Sequence, residues 1–191
     1  PSPGVVPDPL STIALNPMGV LGPMGRTVDD THLLLRGMLD FDPGDPFSSI
    51  DAFDAGDPIA AADLASLRVA ISVDLGIATV SMEVRQLFAD RVKRFAQVFR
   101  SAERRDPPFA DVHEAFGTLR ALSYHAAYDE LLDQERHRLG PNVIANTELG
   151  RQLTVAEISR AHRQQTRIYR DTIGFFREVD ILIAPAAAVQ P

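Results

Sequence analysis

Two short apolar runs constrain this chain more than any other feature: Leu67–Val73 (LRVAISV) and Asp180–Ala184 (DILIA). Each is apolar at successive positions and closed by turn formers, Asp74 and Gly76 after the first and Pro185 after the second, the pattern of a strand covered on both faces. A strand of that kind needs a neighbour on each side to pair its amides and carbonyls. The two runs are therefore expected in one sheet, although about a hundred residues separate them. Two strands cannot satisfy their own edges, so they are expected to form part of a larger α/β body.

Between and before the runs, helical periodicity dominates. Residues 1–26 are dense in Pro and Gly, which remove donors and loosen the chain, and are expected to be loop. Thr27 is placed to cap a first helix, with Asp29 and Asp30 near its positive end and a stop near Leu39. Residues 40–60 mix Asp, Pro, Gly and Ser around isolated apolar residues and read as a surface excursion. From Ser81, the spacing of Val84, Phe88, Val92, Phe95 and Phe99 predicts an amphipathic helix ending before Pro107-Pro108. Ala110–Leu139 predicts a second, with Val112, Phe116, Leu119, Ser123, Ala127 and Leu131 on one face and Gly140-Pro141 as its stop. Thr154 and Glu157 form a capping box for a third, which carries Ile158, Ala161, Ile168 and Phe175 to about Glu178.

The usual catalytic constellations do not assemble from these residues. Without cysteine there is no disulfide, thiolate zinc site or cysteine nucleophile. The five histidines, His32, His113, His125, His137 and His162, lack both the i,i+4 spacing and the HExxH motif of a zinc site. Asp42, Asp45, Asp51, Asp54 and Asp57 do not follow the order of calcium ligands in an EF-hand, and a solvated acidic loop is expected instead. The Gly19–Gly25 stretch has Pro23 where a phosphate loop needs a donor, and no Lys-Ser or Lys-Thr pair follows it. No GxSxG elbow is present; Ser48-Ser49 is the one adjacent serine pair, and Lys93 is the single lysine, on the polar side of its helix. Neither cofactor nor metal is expected.

A net charge of −7 disfavours partners held by phosphate neutralisation, so no nucleic acid is expected. No apolar run approaches the ~18 residues needed to span a bilayer, and Pro-Ser-Pro-Gly at the start is unlike an export signal, so no membrane is expected and a cytoplasmic location is.

Four blocks, in order, carry a family resemblance. Residues 1–7, PSPGVVP, resemble the segment after the nucleophile loop of amidase-signature enzymes. Residues 16–30, NPMGVLGPMGRTVDD, resemble the family's GP-x-x-R-[ST]-V-x-D block, and residues 67–76, LRVAISVDLG, the strand and turn that come next. Residues 179–187, VDILIAPAA, are similar to the later D-x-L-L-x-P-T strand, with Ala186 where Thr is common.

The resemblance implies an α/β fold, in which this stretch contributes strands to a mixed central sheet covered by helices. Within one partial domain it would supply loop (1–26), a helix and acidic loop (27–60), a strand and helix (67–105), a variable helical part (109–178) and a strand (180–185). It further implies a parent hydrolase that cleaves a carboxamide C–N bond through a serine acyl-enzyme, with a small-molecule amide as partner and room for a homodimer. The family's catalytic Lys, bridging Ser and nucleophilic Ser belong to the region before this segment, so no catalytic residue is expected here and the chain alone is expected to be inactive. Its helical part would help wall the acyl-side pocket, for which Phe116, Tyr124 and Tyr128, at multiples of four residues, are the lining residues expected. A non-catalytic interaction module of the same descent is the alternative. A transamidating subunit acting on aminoacyl-tRNA is disfavoured by the acidic charge.

Overall fold

The structure, a computed structural model, describes residues 2–49 and 59–190. Its elements run α1 (Val28–Met38), β1 (Arg68–Ile71), α2 (Met82–Phe95), β2 (Ser101–Arg104), α3 (Val112–Glu135), α4 (Pro141–Gln152), α5 (Val155–Phe175) and β3 (Ile181–Ile183). The chain forms two compact units, one of residues 1–61 with 126–135, the other of residues 62–125 with 136–191.

In the first unit the backbone before α1 follows turns set by local acceptors. The Asp45 side chain takes the amides of Asp8 at 2.9 Å and Phe47 at 2.8 Å, and is itself buried. Gly4 adopts a left-handed φ of +77° against the Phe47 carbonyl, where a Cβ has no room. Thr27 caps α1 through the Asp30 amide at 3.0 Å, as its position predicts, and Leu39 ends the helix. In the acidic loop that follows, the Asp42 carboxylate accepts from the Gly44 amide at 2.7 Å. Asp51, Asp54 and Asp57 of that loop lie outside the described residues.

The second unit carries the sheet. Its strand order is β2-β1-β3, all parallel, with Val69 opposite both Ala102 and Ile181. The two apolar runs are thus adjacent strands, as expected. The expectation of a single helix from Ser81 to Pro107 is corrected: α2 stops at Phe95, a short 3-10 turn covers Ala96–Val98, and β2 follows. Ser101–Arg104 is polar because it lies beyond β1 at a sheet edge among the described residues, where the solvent-facing side chains need not be apolar.

The helical part also needs one correction. α3 ends at Glu135, short of the expected Leu139, a 3-10 turn covers Arg136–Arg138, and Gly140-Pro141 then opens α4, with Gly140 as N-cap and Pro141 in the first turn, where a missing N–H costs nothing. At Gly150 a Cβ would meet the Ala121 carbonyl oxygen at 2.5 Å, so α4 approaches the backbone of α3 where only glycine fits. α5 opens with the predicted capping box, Thr154 Oγ1 accepting from the Glu157 amide and the Glu157 carboxylate accepting from the Thr154 amide. That bonding also draws the Glu157 carboxyl below its ordinary pKa.

The core of this unit lies under β1: Ala70, Phe175 at the end of α5, and Val179, joined by Leu182 of β3. At the strands' amino ends Arg68 holds Asp180 with two guanidinium bonds, 2.8 and 3.1 Å, and donates its own backbone amide to the same carboxylate at 2.8 Å. The Arg68 side chain, then its amide, lower the Asp180 pKa to about 2.

Candidate functional site

Two places in the second unit gather the chemistry that could matter. The first is a crevice of about 450 Å³ at the carboxyl ends of β1 and β2, where α/β sheets commonly bind ligands. Ile71 and Val73 face Phe88 and Val92 of α2 across it, and Asp74, Arg85, Arg104, Arg105 and Asp106 supply the charge. The turn that builds its rim is Asp74–Gly76: the Asp74 carboxylate accepts from the Gly76 amide at 3.0 Å, and Leu75 and Gly76 are both left-handed, φ 56° and 70°. Arg85 donates to the other Asp74 oxygen at 2.7 Å and to the Val80 carbonyl at 3.2 Å, pinning α2 to the strand it follows. Arg85 first and the Gly76 amide second hold the Asp74 carboxyl below its ordinary pKa.

Ser72 sits at the same end of β1, with its hydroxyl 2.6 Å from an Asp106 oxygen. A serine beside a carboxylate resembles part of a nucleophile site, but Ser72 is 1% exposed, so a carbonyl carbon cannot reach it. A carboxylate alone is also too weak a base to take a serine proton without an imidazole or amine between them. The bond ties the end of β1 to the segment after β2, and the Ser72 amide closes the other side by donating to the Ile183 carbonyl at 3.0 Å.

Ser48 and Lys93 are likewise engaged elsewhere, while Ser49 is exposed. Ser48 Oγ accepts the Asp42 amide at 3.1 Å in the first unit's loop, and Lys93 is an exposed residue paired with Asp90 at 3.1 Å. Among the described residues there is no group of three or more histidines and carboxylates placed to hold a metal, and no helix long and apolar enough to cross a membrane.

The second place is the outer side of α3. Phe116 stands there 49% exposed, whereas Ala115, Leu119 and Ala121 are buried, so the packed face is centred one position away from the one predicted through Phe116. The helix is apolar on more than one side, which blurs its periodicity. Tyr124 follows two turns after Phe116 and is half-buried; Tyr128, also half-buried, lies in the stretch of α3 that belongs to the first unit. Phe116 and Tyr124 are brought together by a residue the sequence reading passed over: Arg120, whose guanidinium carbon lies 5.9 Å from the Phe116 ring centre and 5.3 Å from that of Tyr124. The i,i+4 spacing of Phe116, Arg120 and Tyr124 was the available signal, and grouping aromatics alone hid it.

Comparison with known proteins places these features in a family. An acylamidase of Rhodococcus erythropolis is 26% identical over 190 residues, covering 98% of this chain and 40% of that protein. An amidase of Pseudomonas putida is 25% identical over 172 residues, 88% of this chain and 36% of its own length. The chain therefore spans about 40% or less of the curated relatives it matches. Among solved structures, a bacterial aryl acylamidase of the amidase-signature enzymes superposes with a TM-score of 0.74 at 20% identity, over all of this chain and 42% of that one. A protein from a vestigial complex linked to the origins of an s-triazine catabolic enzyme gives 0.77 at 21%, over all of this chain and 41% of its own. Both show the same fold, and the family model described as Amidase matches residues 1–191 throughout, so the chain belongs to the Amidase family.

Proposed function

We propose that these residues serve an enzyme that hydrolyses a carboxamide C–N bond through a serine acyl-enzyme. In this reading they contribute scaffold and one wall of the acyl-side pocket, while the nucleophile and its Lys-Ser relay come from another part of the same enzyme. The nucleophilic serine oxygen would bond to the amide carbonyl carbon. The C–N bond would break as the bridging serine passes a proton to the departing nitrogen, and water would then release the acid. The observation that carries the proposal is the family match over the whole chain, combined with the state of its own hydroxyls: Ser72 is buried on Asp106 and Ser48 holds the Asp42 amide. The chain's one lysine lies out in solvent on Asp90. Phe116 and Tyr124 are the wall residues we assign, with Tyr128 further along the same helix.

The test compares two proteins on an anilide such as acetanilide. Residues 1–191 alone should release no aniline, with or without a metal chelator, whereas a protein that also carries a Lys-Ser-Ser region should do so and should stop when its nucleophilic serine becomes alanine. Turnover by the 191 residues that survives Lys93→Met and Ser48→Ala would overturn the assignment of the chemistry. An enzyme complete in that region yet inert toward every amide would favour the interaction module.

A further inference from the structure

Several arginines of the second unit pair with carboxylates, among them Arg68 with Asp180, Arg85 with Asp74, Arg105 with Glu178, Arg136 with Glu148, Arg160 with Glu114 and Arg167 with Asp111. Arg120 is held differently. Its side chain lies on α3 against the rings of Phe116 and Tyr124, and no carboxylate among the described residues pairs with it, in a chain whose 26 acidic residues outnumber its 19 basic ones. Ring faces balance part of a cation's charge but offer no oxygen to its N–H groups. A half-buried guanidinium held this way keeps a planar fork of donors whose geometry matches a carboxylate, and the two rings hold that fork in place. The half-exposed Phe116 ring keeps this cluster open on its outer side.

We propose that Arg120 is a specificity-determining residue that binds a carboxylate carried on the acyl portion of the amide substrate, while Phe116 and Tyr124 receive the apolar carbons next to it. The proposal rests on the reading of α3 as an acyl-pocket wall. It narrows the substrate class from carboxamides at large to half-amides of dicarboxylic acids. The reaction itself is unchanged, since the guanidinium acts on a group remote from the bond that breaks, so its effect falls on substrate binding.

The experiment uses the whole enzyme with its catalytic region and two anilides, the mono-anilide of succinic acid and butyranilide, which differ by a carboxylate in place of a methyl. The unaltered enzyme should favour the charged anilide. Arg120→Gln should raise KM for that substrate about 10- to 100-fold, the loss expected when a charge-assisted hydrogen bond is removed, and lower kcat/KM for butyranilide far less. Arg120→Lys, which keeps the charge and loses the fork, should recover only part of the difference. Equal losses on both anilides would mark a structural role, and unchanged kinetics on both an idle surface residue; either result overturns the proposal. Succinate binding by calorimetry separates this inference from the amidase reading. Binding that disappears in Arg120→Gln, in an enzyme that hydrolyses no amide, keeps the carboxylate site and removes the acyl-pocket reading. Hydrolysis of both anilides with no Arg120-dependent succinate binding does the reverse.

Discussion

The two flanks of β1 are built to different standards. On the β3 side, Phe175, Val179 and Leu182 close over Ala70, and Arg68 and Asp180 lock the strand ends together. On the β2 side, α2 leaves an open crevice and has no buried residue, with Phe88, Val92 and Phe95 only half-covered. Both helices nonetheless present apolar stripes of similar regularity in the sequence. The difference shows that periodicity reports the face a helix offers, and that the neighbouring surface decides how much of it is buried.

Phe175→Ala should therefore produce the largest loss, about 3–5 kcal/mol, because it empties a site that packed neighbours cannot refill. Equilibrium denaturant unfolding of the 191-residue chain would measure it, and a loss below about 1 kcal/mol would break the contrast between the flanks. Phe95→Ala should cost less than half as much in the same chain, since its ring is half-exposed and meets Phe99 edge-on at 6.2 Å. If a longer protein containing these residues covers α2, the same substitution there should approach the Phe175 value. Equal, large losses in both forms would show that α2 is already fully partnered within these residues.

Acid provides the smallest and most local probe of the tight flank. The Asp180 pKa is lowered from 3.8 to about 2 in the folded chain, so its contribution is fully present above about pH 4 and is lost as the pH falls toward 2. Stability should decline across that window, and Arg68→Met should flatten the Asp180 part of the decline. An unchanged pH profile in Arg68→Met would mean that the ion pair does not lock the flank, its exposed position letting water screen it.

The same contrast explains what the sequence could reveal. LRVAISV and DILIA were legible as strands of one sheet because both are apolar at nearly every position and closed by turn formers, although β3 is only half-buried, and Thr27, Ser81 and Thr154 were legible as caps because each acts on an amide three residues away. β2 was not, since Ser101–Arg104 owes its extended form to hydrogen bonds with β1, more than 30 residues earlier, and shows no apolar pattern of its own. α4 was missed for a different reason: Gly140-Pro141 satisfies the rules for ending one helix and for starting another, and the first was applied alone. On α3, spacings of eight and four residues put Phe116, Tyr124 and Tyr128 on successive turns of one helix, whereas Arg120, whose guanidinium lies near both Phe116 and Tyr124, was not legible because a lone arginine between aromatics is ordinary in a sequence.

The bond between Arg68 and Asp180 spans 112 positions of chain, and the Ser72 amide meets Ile183 at the other end of the same strand pair. Everything between is, in polymer terms, one large ring with its two ends fastened side by side. Closing such a ring costs an entropy that rises only with the logarithm of its length, so doubling the excursion would add about 0.6 kcal/mol. Whole helices can thus be inserted into or removed from the α3–α5 region with little strain on the sheet, and differences in chain length between related enzymes should accumulate there. The helical part can then differ from one relative to the next while the strands that anchor it stay in register.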